Sequence, residues 1–182
     1  MNLIENKLEN LKIESTTELT DLDYLKKANA FFNIGKYIEA IEYYDKILAL
    51  NVTTSNTILA TEAYYRRSFS FLRIEKFHQS IQSIDLCLAL DPHYVIAYVT
   101  KGFCYKLLNR VDESNQMFEK AMSELDLMSF DETDATKSDN EKYKEFLLNK
   151  GLSYRGLKQY DKAMECYDKL IEIGDGPKFE NG

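Results

Sequence analysis

The 182-residue chain is 45% hydrophobic and 29% charged, and its 30 acidic against 23 basic residues leave a formal net charge of −7. That balance fits an ordinary soluble chain and argues against nucleic acid as a partner for the whole surface. With only 7 glycines and 2 prolines a hairpin-rich β-fold is disfavoured, and no run of about 18 apolar residues is present to cross a membrane.

Residues 1–20 are expected to form a capping helix or an arm. Leu3, Ile4, Leu8 and Leu11 fall at helical spacing, which suits a short helix covering the unit that follows; a partner-binding or disordered arm is the alternative. Ser15 with Glu18 three residues on reads as a helix start. Acidic residues stand where a secretory leader would be basic and then apolar, so no leader is expected.

From residue 21 the chain says nearly the same thing four times. GKYIEAIEYYDKILAL begins at Gly35, and related stretches begin at Glu75, Asn109 and Leu157. Aligned on Tyr37, Phe77, Val111 and Tyr160, the copies are separated by 40, 34 and 49 residues, and a period near 34 is the length of a helix–turn–helix unit. Three residues on comes a small column, Ala40, Ser80, Ser114 and Ala163; four further on comes a bulky one, Tyr44, Ile84, Phe118 and Tyr167. Spacings of three and four place both on one helical face. A second helix precedes each of these, with the small column Ala28, Ser68, Gly102 and Gly151 and the aromatic column Phe31, Phe71, Tyr105 and Tyr154. Each unit is thus an A helix and a B helix, with small residues where the two backbones approach.

The units are read as residues 21–54, 61–94, 95–128 and 144–175, followed by a flexible tail over 176–182. Gly35 and Gly156 are read as the turn glycines of units one and four, Asn109 takes that place in unit three, and Pro92 ends the second B helix. Residues 51–60 are expected to lengthen the first inter-unit loop. Residues 129–143, SFDETDATKSDNEKY, are expected to form a mobile acidic loop, with the third B helix running past Leu125 and the next A helix starting near Asn140.

These columns resemble those of the tetratricopeptide repeat family over about residues 21–175. The resemblance implies an all-α, right-handed superhelical solenoid with the A helices on its concave side. On that geometry the groove would be lined by Lys26, Asn29 and Phe32 in unit one, Tyr65, Arg66, Phe69 and Arg73 in unit two, Thr100, Phe103 and Lys106 in unit three, and Asn149 and Arg155 in unit four. This surface is aromatic and basic on an acidic chain, which suits an acidic, partly apolar peptide; the bland alternative is that the aromatics pack between units and the bases only solubilise. Some members of the family clamp the acidic C-termini of chaperones with Lys and Asn, then Asn, then Lys and Arg. Here Asn29 matches, whereas Leu25, Arg66, Ile96 and Thr100 do not, which argues against that ligand in that register.

A further column, Lys27, Arg67, Lys101 and Lys150, precedes the small residue of each A helix. Its expected role is structural, stems covering packed helices and charges reaching B-helix acids; a shared anion-binding stripe is the alternative.

No catalytic constellation, phosphate loop or cofactor motif is present, and His78 and His93 read as exposed, so neither enzyme nor metal protein is expected. Cys87, Cys104 and Cys166 are odd in number and widely spaced, as reduced core thiols of an intracellular, here cytoplasmic, protein would be. The expected function is a non-enzymatic adaptor that binds a segment of a partner protein. The alternative is an assembly protein, for example a homodimer, joined through Met164, Tyr167 and Ile171 of the last B helix.

Overall fold

The computed structural model describes residues 20–54, 56–128 and 137–173. Among them are eight α-helices and no strand: α1 (Asp21–Asn33), α2 (Tyr37–Thr54), α3 (Thr57–Arg73), α4 (Phe77–Leu90), α5 (Val95–Leu107), α6 (Val111–Asp126), α7 (Lys137–Gly156) and α8 (Tyr160–Ile173). They pair as α1/α2, α3/α4, α5/α6 and α7/α8, and each second helix packs against the first helix of the next pair. The first helices also meet one another, α3 with α5 and α5 with α7, and no contact of that extent joins the second helices. The stack therefore curves with its A helices inside.

Local chemistry sets the helix ends. Thr20 opens α1 with a reciprocal box: its Oγ1 accepts from Asp23 N at 3.3 Å, and Asp23 Oδ2 accepts from Thr20 N at 3.1 Å. The helix start read at Ser15 and the apolar run before it lie outside the described residues. Asn56 Oδ1 accepts from Leu59 N at 3.2 Å and starts α3. With that cap in place the expected long loop over 51–60 does not form: α2 continues to Thr54 and α3 begins at Thr57. The acidic segment is also corrected in its second half, because α7 begins at Lys137, ahead of Asn140, while α6 stops at Asp126, one residue past Leu125.

All four turns between A and B helices close in the same way. The amides of Lys36, Lys76, Arg110 and Gln159 each donate at 2.9 Å to the carbonyls of Phe31, Phe71, Tyr105 and Tyr154, the aromatic column of the A helices. The residue before each donor is left-handed: Gly35 (φ 78°), Glu75 (φ 62°), Asn109 (φ 57°) and Lys158 (φ 61°). Gly156 is therefore not the turn residue of unit four. It ends α7 and lies against the Phe118 ring, where a Cβ would stand closer than 3.0 Å.

The small columns mark the crossings. A Cβ on Gly102 would meet Phe118 Cε1 at 2.9 Å and one on Gly151 would meet Tyr167 Cε1 at 2.5 Å, both in the B helix of the same unit. Ser80 Oγ donates to Ser68 O at 2.8 Å and Ser114 Oγ to Gly102 O at 2.9 Å, so in the middle units the crossings are hydrogen-bonded as well as close. The bulky column fills the space beside them, with Tyr44, Ile84 and Phe118 fully buried. Each core reaches into the following unit: Ala63 joins the Tyr44 cluster, Ala97 the Ile84 cluster, and Phe146 and Leu152 pack on the Phe118 cluster.

The cationic column holds adjacent units together at two points. Arg67 Nε lies 2.8 Å from Asp45 Oδ1, with its N–H not aimed at the oxygen, and Lys101 Nζ donates to Asp85 Oδ1 at 2.6 Å. Both acids belong to the B helix of the preceding unit. Lys27 and Lys150 instead sit over the Tyr43 and Phe146 rings. The three cysteines are buried thiols, and burial pushes Cys87 up to about 12. His78 and His93 are both exposed, and His93 is also tied to buried Glu124, Nδ1 to Oε2 at 2.7 Å.

Candidate functional site

The inner face divides into two chemically different regions. Over units one to three the polar groups are largely committed to one another. Tyr44 Oη donates to Asn29 Oδ1 at 2.9 Å. Arg66 Nε donates to Glu62 Oε1 one turn earlier on α3, while Glu62 Oε2 accepts from Tyr94 Oη at 2.9 Å. The Arg66 guanidinium also faces the Phe32 ring, 5.9 Å from its centroid. Phe32 packs against Phe69 of the next unit at 5.7 Å between centroids, and Tyr65 against Tyr94 at 5.2 Å. Thr100 is buried and donates to Ile96 O at 2.8 Å. Burial raises the Tyr44 and Tyr65 hydroxyls to about 12, so both remain neutral donors at ordinary pH.

The second region lies at the turn end of the A helices. An open cavity of about 880 Å³ is lined by Leu72, Arg73, Glu75, Phe77, Phe103, Lys106, Leu107, Arg155 and Tyr160. Three cations from three successive A helices surround an apolar floor. Arg155 rests over Phe103, 5.2 Å from the centroid, and Arg73 over Tyr37 at 5.4 Å. Phe103 is held edge-on against buried Phe118, with centroids 5.0 Å apart. Among the described residues Arg73, Lys106 and Arg155 make no ion pair, and all three are exposed.

Of the twelve residues read from the sequence, the cavity thus gathers Arg73, Phe103, Lys106 and Arg155. Asn29, Phe32, Tyr65, Arg66, Phe69 and Thr100 form the committed region instead. Lys26 is exposed on α1 away from the cavity, and Asn149 is buried beside a smaller cavity of about 200 Å³ with Ile96 and Glu145. The sequence reading missed Glu62, Tyr94, Glu75, Phe77 and Tyr160. Glu62 was discoverable, because an acid four residues before an arginine on one helix face is placed to pair with it. Tyr94, Phe77 and Tyr160 come from the segments that bracket the A helices, and only the stacking brings them to this face.

A curved stack of helix pairs with an open groove on its A-helix side is a helical-repeat solenoid by architecture. The tetratricopeptide repeat model matches residues 24–51 and 144–173, and the chain is a tetratricopeptide-repeat protein. RNA polymerase II-associated protein 3 of Mus musculus is 29% identical over 116 residues, which is 64% of this chain and 16% of that protein. The chain therefore spans about a sixth of the length of that relative. A crystal structure of MamA superposes with a TM-score of 0.56 at 21% identity, covering 95% of each chain. The first TPR of Spaghetti (RPAP3), bound to the HSP90 peptide SRMEEVD, superposes with a TM-score of 0.50 at 26% identity, covering 66% of this chain and 86% of that one.

Proposed function

We propose that this protein is a non-enzymatic adaptor whose A-helix groove binds an acidic, partly apolar peptide segment of a cytoplasmic partner protein. One observation carries the reading: Arg73, Lys106 and Arg155 ring an open apolar cavity and have no ion-pair partner among the described residues. Exposed cations beside half-buried aromatics attract carboxylates and gain contact area from apolar side chains. The peptide held by the similar solved chain, SRMEEVD, has two glutamates and an aspartate, which is the same broad chemistry. The register differs, however. Asn29 is the one match to the chaperone-tail clamp, and here its carbonyl already accepts from Tyr44. The acid groups are therefore assigned to the turn-end cavity.

Phe103→Ala is expected to weaken binding by about 2 kcal/mol, chiefly through faster dissociation. Joint reversal of Arg73, Lys106 and Arg155 to glutamate is expected to abolish capture of acidic peptides and flatten the salt dependence. The assay is fluorescence polarisation against an array of acidic and neutral peptides, after circular dichroism has shown the variants to be helical. Unchanged binding of a captured peptide by both folded variants would remove the groove from consideration.

A second reading, self-association through α8, is favoured by Met164 and Ile171, which are 57% and 67% exposed on that helix. Sedimentation equilibrium decides it: a monomer at high concentration, unaltered by Ile171→Glu, is incompatible with it.

A further inference from the structure

We infer that Glu62 is a specificity-determining residue of the groove: it occupies Arg66 as a built-in carboxylate, bars ligand acids from the middle of the A-helix face and confines them to the Arg73–Lys106–Arg155 end. The inference rests on the groove reading above and adds the register of the ligand to it.

Both Glu62 oxygens are in use. Oε1 accepts from Arg66 Nε and Oε2 accepts from Tyr94 Oη at 2.9 Å. The carboxylate is only partly covered, with side-chain exposures of 32% for Glu62 and 34% for Arg66, so its charge is felt at the groove surface. Arg66 is further boxed in by the Phe32 ring beneath its guanidinium. An incoming acid would have to displace Glu62 from a geometry fixed by two elements, α3 and the Tyr94 segment before α5. It would also have to approach a carboxylate of its own sign while doing so. Discrimination by such a like-charge element is a difference in affinity between ligands and needs no change of shape. At the turn end nothing comparable stands beside Lys106 or Arg155; the one acid lining that cavity is Glu75, which makes no ion pair among the described residues.

The test uses the full chain, wild type and Glu62→Gln. Glutamine keeps the size of the side chain and an acceptor for Tyr94 but removes the charge. The probes are fluorescein-labelled decapeptides of alternating serine and phenylalanine, in which a pair of glutamates is walked from one end to the other. Wild type is expected to bind best when the pair sits at one end and to lose affinity as it moves to the centre. E62Q is expected to bind the centre-acid peptides about tenfold more tightly and the end-acid peptides as before. That gain should shrink at 1 M salt, where screening reaches about 3 Å; a merely structural loosening would shift all probes and ignore salt. A positional profile identical in the two proteins overturns the role of Glu62 while leaving the groove reading intact. If wild type binds none of the probes but E62Q captures the centre-acid ones, Glu62 is the barrier inferred here and the turn-end assignment of the acids fails. If neither protein binds any probe, both readings fall.

Discussion

Gly156→Ala is a substitution that helix propensity alone says should help. Alanine is preferred to glycine inside a helix by up to about 1 kcal/mol. The structure gives the opposite sign. Phe118 is fully buried with its ring wedged between two glycines of different units, Gly102 on α5 and Gly156 on α7, and closed edge-on by Phe103. A methyl at Gly156 would press on three ring carbons of Phe118 at separations real Cβ atoms do not show, and the ring cannot retreat, because a Cβ placed on Gly102 would already be 2.9 Å from its other edge. Overpacking of this kind costs about 1–3 kcal/mol, and against a ring that is fully buried and met at three carbons the cost falls in the upper part of that range, about 2–3 kcal/mol. Set against the propensity gain, the net loss is about 1–2 kcal/mol, or a Tm lower by about 2–8 °C for a chain of this size. Thermal melts followed by far-UV circular dichroism measure it. Adding Phe118→Leu removes the ring edges, so the double variant should be less destabilised than the sum of the two single ones by at least about 0.5 kcal/mol. A Tm that is unchanged or raised in Gly156→Ala, or strict additivity with Phe118→Leu, would refute the wedge.

Gly151→Ala meets Tyr167 at 2.5 Å, but that ring is only half-buried and can yield, so its Tm loss should be smaller than that of Gly156→Ala in the same melts. Lys158→Gly relieves a left-handed backbone (φ 61°) and should stabilise by about 0.5–1 kcal/mol, read as a raised urea midpoint at constant m-value. Glu124 is held below its ordinary value of 4.5 by the hydrogen bond from His93 and then that from Lys120. A depressed carboxyl contributes stability that is present above the unfolded value and is lost as pH falls through the folded one. Between about pH 5 and the folded value, wild type should therefore lose Tm more steeply than Glu124→Gln; parallel pH profiles would show that the pair contributes nothing to folding.

The helix pairs were legible because their cause is periodic: a small residue at every crossing and an aromatic beside it write the same spacing four times, and the closed turns follow Phe31, Phe71, Tyr105 and Tyr154 in each copy. What was misread depended on single residues competing with that pattern. Asn56 caps α3 and so converts an expected loop into helix on both sides. Gly156 looked like a turn glycine, but the left-handed position falls two residues later on Lys158, and the glycine serves a neighbouring unit's phenylalanine. The basic and aromatic character of the inner face was visible residue by residue. Its division into a satisfied half and an open half was not, because Glu62, Tyr94 and Asn29 are satisfied by partners 4, 32 and 15 positions away; the Asn29–Tyr44 bond exists only once α1 packs on α2, and the Tyr94–Glu62 bond only once the segment leading into α5 folds back on α3.

The left-handed turns carry a trade between folding and recognition. Three of them hold a residue with a side chain where only the first uses glycine, and such a backbone costs about 1–2 kcal/mol for an L-residue. At Lys158 that expense has no evident return, and Asn109 bears less of it, because asparagine tolerates the left-handed region. Glu75 differs, because its left-handed backbone carries a carboxylate to the rim of the turn-end cavity, two residues from Arg73. A glycine there would make a sturdier protein and at the same time strip the rim of the one negative group among its described lining residues, leaving three cations unopposed. Selection for stability alone would thus push this turn toward a less discriminating groove, and variants of the array recovered purely for heat resistance should be screened for promiscuous capture of acidic chains.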